Sequence, residues 1–215
     1  WDREVDLAPL AGRGGTLVLD TVPDEDADWL AWSRLRVIQR SSPFFAEISR
    51  DIDQPLPPRA LRLLDRFEQA EISFDRSEVY PNYARFDTPG GRPAFLYASR
   101  RGSPGHFAMI TIAGATTRFP IEQVPAAAAL EVAAINLGNL GDGVRGRVFV
   151  EDREGREKIF DELLPPRSQQ WVDSTVSLEK WAGQRVTLAF EGSSGPRRET
   201  IADWCAWARL RIRTR

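Results

Sequence analysis

Apolar and polar positions alternate over short stretches of this chain, and turn residues separate them. Phe95–Ser99, Phe107–Ile112, Leu130–Leu137, Arg147–Glu151, Val176–Leu178, Arg185–Glu191 and Trp204–Ile212 each read as a strand. Gly138–Gly146 and Gly192–Pro196 read as turn-rich loops between them. No strand alternates with a helix, which argues against a parallel α/β fold. Short strands with turns at fairly even spacing predict an all-β antiparallel sandwich.

Parity assigns faces. Val186, Leu188 and Phe190 share one side of their strand. In the last strand, Trp204, Ala206, Ala208, Leu210 and Ile212 are expected to point inward. Asp203, Cys205, Trp207, Arg209 and Arg211 then point outward, unless a bulge resets the register. On that reading Trp204 is core, and Trp207 lies at the surface or under a loop. Residues 39–58 read as a linker rich in Ser and Pro. Arg59–Ala70 carries apolar residues at 60, 61, 63, 64 and 67, which predicts one short amphipathic helix after Pro57 and Pro58.

The chain also repeats itself. Ala27-Asp28-Trp29-Leu30-Ala31-Trp32-Ser33-Arg34-Leu35-Arg36-Val37 returns as Ala202-Asp203-Trp204-Cys205-Ala206-Trp207-Ala208-Arg209-Leu210-Arg211-Ile212. Upstream, Val5-Asp6-Leu7 and Thr16–Asp20 align with Val176-Ser177-Leu178 and Thr187–Glu191, and Trp1 with Trp171. Three strands cannot bury both faces alone. Residues 1–38 are therefore expected to be the C-terminal strands of a truncated related sandwich. Residues 39–70 are then the linker with its helix, and residues 71–215 the complete sandwich. The N-terminal strands either belong to a domain cut short or pack on the second sandwich, and their unpaired edges open a route to a dimer. A first residue of Trp rather than Met reads as a mature, excised or truncated piece.

Composition narrows the function classes. The 215 residues are 42% hydrophobic and 28% charged, enough to build a real core. No stretch reaches the ~18 apolar residues of a membrane-spanning helix. A net charge of −2 argues against a nucleic-acid binder that works through a basic face. Cys205 is the one cysteine and His106 the one histidine, so an internal disulfide, a Cys-based zinc site and a His-rich metal centre are excluded.

The segments Arg147–Glu151, Trp171, Val176-Ser-Leu-x-x-Trp-Ala-Gly-Gln-x-Val-Thr-Leu-x-Phe-Glu191 and Ala202–Ile212 resemble the C-terminal end of galactose-binding-like jelly-roll modules, which are similar to carbohydrate-binding modules. Upstream, Gly105–Ile112 and Phe119-Pro-Ile-Glu122 resemble such a module's early strands. The resemblance covers roughly residues 71–213, with a partial second match at 1–38. It implies a jelly-roll β-sandwich acting as a non-catalytic accessory module of a larger bacterial envelope or secreted protein. Hosts of that kind are sulfatases, glycoside hydrolases and glycosyltransferases. The implied partners are a glycan or polysaccharide and neighbouring domains, and the implied location is extracytoplasmic. Many members hold a structural calcium; no other cofactor is implied.

Candidate site residues follow from chemistry. Aromatic faces stack on sugar rings, and Arg forks donate to hydroxyl or acidic groups. Trp171, Trp207, Arg100, Arg101, His106 and Arg118 are the candidates for ligand binding. Core packing and solvated arginines are the competing explanation for each. The recurrence of Trp32 at the position of Trp207 favours a fold role there. No catalytic residue is assigned. His106 lacks a partner pattern, and Cys205 is replaced by Leu30 in the first copy. A hydrolase would need two carboxylates about 5–10 Å apart across a cleft. Asp24, Glu25, Asp26 and Asp28, or Glu151, Asp152 and Glu154, are the groups available. Asn136, Asn139 and Asp142 offer oxygen ligands for calcium, although turn chemistry alone explains that loop. The alternatives to a glycan-binding module are thus a ligand-free interdomain spacer and a hydrolase built on loop carboxylates.

Overall fold

The computed structural model describes residues 60–75, 93–99, 106–138, 141–198 and 203–214. The N-terminal repeat and most of the linker lie outside the described residues. Eleven described strands run β1 (Leu61–Arg62), β2 (Glu71–Phe74), β3 (Ala94–Ser99), β4 (His106–Ile112), β5 (Ala115–Ile121), β6 (Ala128–Asn136), β7 (Val144–Asp152), β8 (Gly155–Leu164), β9 (Val172–Ser177), β10 (Val186–Ser194) and β11 (Trp204–Thr214). One sheet has the order β3-β4-β11-β6-β9, with β1 beside the far end of β11. The other has the order β2-β5-β10-β7-β8. All pairings between these strands are antiparallel.

The pairings nest. β7 pairs β8, β6 pairs β9, β5 pairs β10 and β4 pairs β11, and successive pairs fall in alternate sheets. A long hairpin rolled over itself in this way is a jelly roll. The chain is therefore an all-β antiparallel jelly-roll sandwich, as the strand pattern predicts. The core between the sheets takes Met109, Phe119, Leu130, Leu188, Phe190, Trp207 and Leu210. Leu63 and Phe67, from a 3-10 helix over Leu63–Gln69, close one side. The predicted helix is thus shorter than expected and tighter in winding, because Leu61 and Arg62 pair with Ile212 and Arg211 instead.

The facing of β11 is the main correction. Cys205 and Trp207 point into the core, whereas Trp204, Ala206 and Ala208 lie on the outer side of the six-stranded sheet. Beyond Ala208 the pairing with β6 slips, and Arg209 sits at φ 54°. That bulge returns Leu210 and Ile212 to the core. Simple alternation fixes the second half of the strand correctly and inverts the first.

The outer side of the five-stranded sheet carries a ladder of ion pairs. Arg118 meets Glu151, which meets Arg156; Arg156 meets Glu191, which meets Arg147; Arg147 and Arg145 meet Asp161. The hydrogen bond from Arg145, aided by Lys158, holds the Asp161 carboxyl down at about 2. A depressed carboxylate stabilises the fold above its unfolded value of about 3.9, and that contribution disappears as pH falls through about 2. Asp161→Asn is therefore expected to cost about 1–2 kcal/mol at pH 6, a range that allows for the half-exposed Arg145 and Lys158, and almost nothing near pH 2. Urea titrations of both proteins at the two pH values measure the difference.

Candidate functional site

A site starts on the outer side of the six-stranded sheet. Register places Tyr97 opposite Ala108, Ala108 opposite Ala208, Ala208 opposite Ala133, and Ala133 opposite Asp173. One row across five strands thus runs from an aromatic through three alanines to a carboxylate. Methyl groups make a low floor between taller margins. The next row holds Phe95, Ile110, Ala206 and Ile135 in the same register. Together these apolar residues form a second cluster, separate from the core, with Leu137, Trp171 and Trp204 packed against it.

The low floor lets the margins meet. β4 and β9 are separated by β11 and β6, about 14 Å at ordinary strand spacing. Yet the rings of His106 on β4 and Trp171, just before β9, lie 5.0 Å apart, edge to face at 83°. Bulky side chains at 108, 133 and 208 would stand between them. Phe95 and Trp204 form a similar pair at 6.0 Å and 89°.

Trp171 is half-buried and His106 is buried. Two positions beyond Trp171, on the same face, Asp173 accepts a hydrogen bond from the Arg209 guanidinium at 3.0 Å. Asp173 and Arg209 keep 57% and 36% of their side-chain surface open, and Tyr97 is 50% exposed. The β9 margin therefore combines the Trp171 and His106 rings with a forked donor and a carboxylate, while Tyr97 stands at the opposite edge, on β3. That set can stack on the apolar face of a sugar ring and bond its hydroxyls.

Of the residues singled out from sequence, the structure brings Trp171 and His106 together. Arg118 stands on the other sheet, where it donates to Glu151 at 3.1 Å and to Ser73 at 2.6 Å. Trp207 is fully buried, and its indole N–H donates to the Thr111 hydroxyl at 2.8 Å. It presents no face to a ligand; the bulge at Arg209 is what turned it inward. Arg100 and Arg101 lie outside the described residues. Sequence reasoning passed over Tyr97, Asp173 and Arg209. Tyr97 was detectable as the polar-tipped partner of Phe95 on one strand face, but the Asp173–Arg209 pair depends on the bulge.

The competing chemistries fare differently. Glu151 is engaged by Arg118 and Arg156. Asp152 accepts the amides of Glu154 and Gly155 and the Trp181 indole N–H. The Glu154 amide leads in holding the Asp152 carboxyl below its ordinary range. An acid catalyst needs its pKa raised, and this carboxylate caps a hairpin turn instead. The carboxylates of residues 24–28 lie outside the described residues. In the proposed calcium loop, Asn136 donates to the Leu164 carbonyl at 3.3 Å and accepts the Gly138 amide at 2.7 Å, while Asp142 accepts the Arg197 amide. Asn139 lies outside the described residues. Asn136 and one Asp142 oxygen are thus turned to protein groups, while the other, Asp142 Oδ1, is buried without a hydrogen-bond partner among the described residues. Among the described residues no three His, Cys, Asp or Glu side chains cluster as a metal site would need.

The fold is thus an antiparallel jelly-roll sandwich, the fold that the resemblance of the C-terminal motif implies. No family model matches the sequence. An uncharacterized protein of Archaeoglobus fulgidus is 33% identical over 76 residues, which is 34% of this chain and 19% of that relative. The chain therefore spans about a fifth of that relative's length. Among solved structures, the chain is similar to a family 51 carbohydrate-binding module from a Clostridium perfringens family 95 glycoside hydrolase, in complex with methyl-galactose. Identity there is 15%, over 72% of this chain and 99% of that one, with a TM-score of 0.45. It is also similar to a family 61 module in complex with β-1,4-galactotriose, at 12% identity, 72% and 94% coverage and a TM-score of 0.45. A family 35 module from Clostridium thermocellum matches at 10% identity, 69% and 95% coverage and a TM-score of 0.39.

Proposed function

We propose that this chain is a non-catalytic, glycan-binding accessory module of a larger extracytoplasmic protein. The observation that carries the reading is the margin where Trp171 meets His106 beside the Asp173–Arg209 pair. Stacking surface and hydroxyl-bonding groups stand there on rigid strands, which is what recognition of a neutral sugar ring needs. The C-terminal sequence motif supports the same reading. A host of glycoside hydrolase, sulfatase or glycosyltransferase type is the finer form of this proposal. No helix among the described residues is long and apolar enough to cross a membrane.

A glycan and polysaccharide array, probed with calcium and with EDTA, tests the reading. Trp171→Ala is expected to weaken binding about tenfold or more, the worth of one lost aromatic stack. Tyr97→Ala is expected to weaken it less. Loss of binding with EDTA alone would place a calcium ion in the ligand site. Silence of the folded protein across a diverse panel would overturn glycan binding. It would favour the second reading, a ligand-free interdomain spacer, which draws on the deep burial of the apolar floor on this sheet.

A further inference from the structure

Arg209 sits at φ 54° in the middle of β11, in the left-handed region that penalises a residue with a Cβ. Glycine would hold the same bend without strain. An arginine there points to a task for its side chain. At the bulge the ladder between β11 and β6 passes from Ala208–Ala133 to Arg211–Glu131, so Arg209 falls outside the register. Bulges next to sites re-aim side chains in this way. The guanidinium spans β6, the strand between β11 and β9, and its Nη1 donates to Oδ1 of Asp173 at 3.0 Å. That bond leaves capacity over. Among the described residues, Oδ2 of Asp173 and the Nε and Nη2 groups of Arg209 have no further partner, and both side chains are open to solvent.

We propose that Asp173 and Arg209 are the specificity-determining pair of the glycan site, and that they select a neutral sugar carrying two adjacent hydroxyls. The inference rests on the glycan-binding reading above. An ionised carboxylate only accepts hydrogen bonds and a guanidinium only donates them, whereas a hydroxyl does both. One hydroxyl donates to Oδ2 of Asp173 while its neighbour accepts from the open edge of Arg209. Both bonds are charge-assisted, and their donor and acceptor are already fixed side by side. Trp171, two residues before Asp173 on the same strand face, supplies the stacking surface beside them. A uronate or a sulfate ester offers acceptors alone. It cannot donate to Asp173, it meets a like charge there, and the guanidinium that would attract it is already paired.

An array of neutral glycans, their O-methylated forms, and uronate and sulfated glycans tests this on the full chain. The parent is expected to bind neutral glycans at least about tenfold more tightly than anionic ones. O-methylation removes the hydroxyl donors, keeps the acceptors and should abolish binding. Asp173→Asn is expected to lose about tenfold on neutral glycans and to gain on uronate and sulfated ones, because Arg209 is left unpaired. That gain should fade at high salt. Arg209→Gly is expected to weaken neutral binding about tenfold while its urea midpoint stays level or rises, since glycine relieves the positive φ. An arginine kept for the fold alone would lose stability and keep affinity. Equal binding of anionic and neutral glycans by the parent, parent-like binding by Asp173→Asn, or a lower urea midpoint for Arg209→Gly would each overturn the proposal. In those cases a loss of binding in Trp171→Ala would still uphold the glycan reading. Silence of the folded parent on every glycan would overturn both.

Discussion

Trp207→Ala should lower the stability of the sandwich by about 3–5 kcal/mol, the usual cost of removing a buried large aromatic. That is a large share of the total for a domain of this kind. The indole is fully buried, sits edge-on to Phe190 at 5.5 Å and Phe160 at 5.9 Å, and donates its N–H to Thr111. Truncation leaves both a cavity and an orphaned hydroxyl. Urea denaturation followed by circular dichroism gives the number. Trp207→Phe should recover most of the packing and lose only the hydrogen bond, about 1 kcal/mol. If the proposed glycan binding holds, the folded fraction of either variant should bind as the parent does, because Trp207 is fully buried. A loss of affinity at full folding would contradict the site assigned to Trp171.

Gly146→Val should be the second most damaging change, at about 1–3 kcal/mol. A Cβ at Gly146 would lie 2.9 Å from Cη2 of Trp207 and 3.1 Å from the Cys205 sulfur. Its cross-strand partner Gly192 is equally tight, with a Cβ falling 2.9 Å from the Thr111 hydroxyl. Two facing glycines on β7 and β10 thus form the slot that receives the Trp207–Thr111 pair from the opposite sheet. The indole cannot yield, since its hydrogen bond and two neighbouring rings hold it. Combining Gly146→Val with Trp207→Leu should therefore cost less than the sum of the separate changes, by at least about 0.5 kcal/mol. Strict additivity would mean that the slot adapts elsewhere.

Both residues show what the sequence could and could not disclose. The repeated A-D-W segment marked the last strand and its importance, and the recurrence of Trp32 pointed to a structural role for Trp207. Facing was misjudged because period-2 alternation assumes an unbroken strand. A single arginine at positive φ shifts the phase, and nothing about Arg209 as a residue type announces it. β8 escaped detection for a different reason. Its Arg156, Glu157, Lys158, Asp161 and Glu162 mask the alternation, and such charge is typical of an edge strand guarded against pairing with other molecules. β5 was reached only through the family resemblance, since Thr116, Thr117, Arg118 and Pro120 give it little apolar character. The site was half legible. Trp171 and His106 stand out by residue type. Their meeting depends on three alanines aligned by register across separate strands, and linear sequence carries no register.

The nested pairing of strands also orders events in time. β7 and β8 are joined by a tight turn at Arg153–Glu154 and can zip locally, while Trp204 must find Ile112 across most of the domain. Loop-closure entropy makes the outermost pairing slow, so folding should run from the inner hairpin outward at the modest rates of high-contact-order β proteins. His106 on β4 and Trp171, just before β9, belong to two different pairs, and their rings meet only when β11 has been inserted between β4 and β6. The margin where Trp171 meets His106 is therefore among the last features to form. A nascent or partly folded module would carry a finished hairpin without that margin, so the ring contact between His106 and Trp171 itself reports completion of the roll.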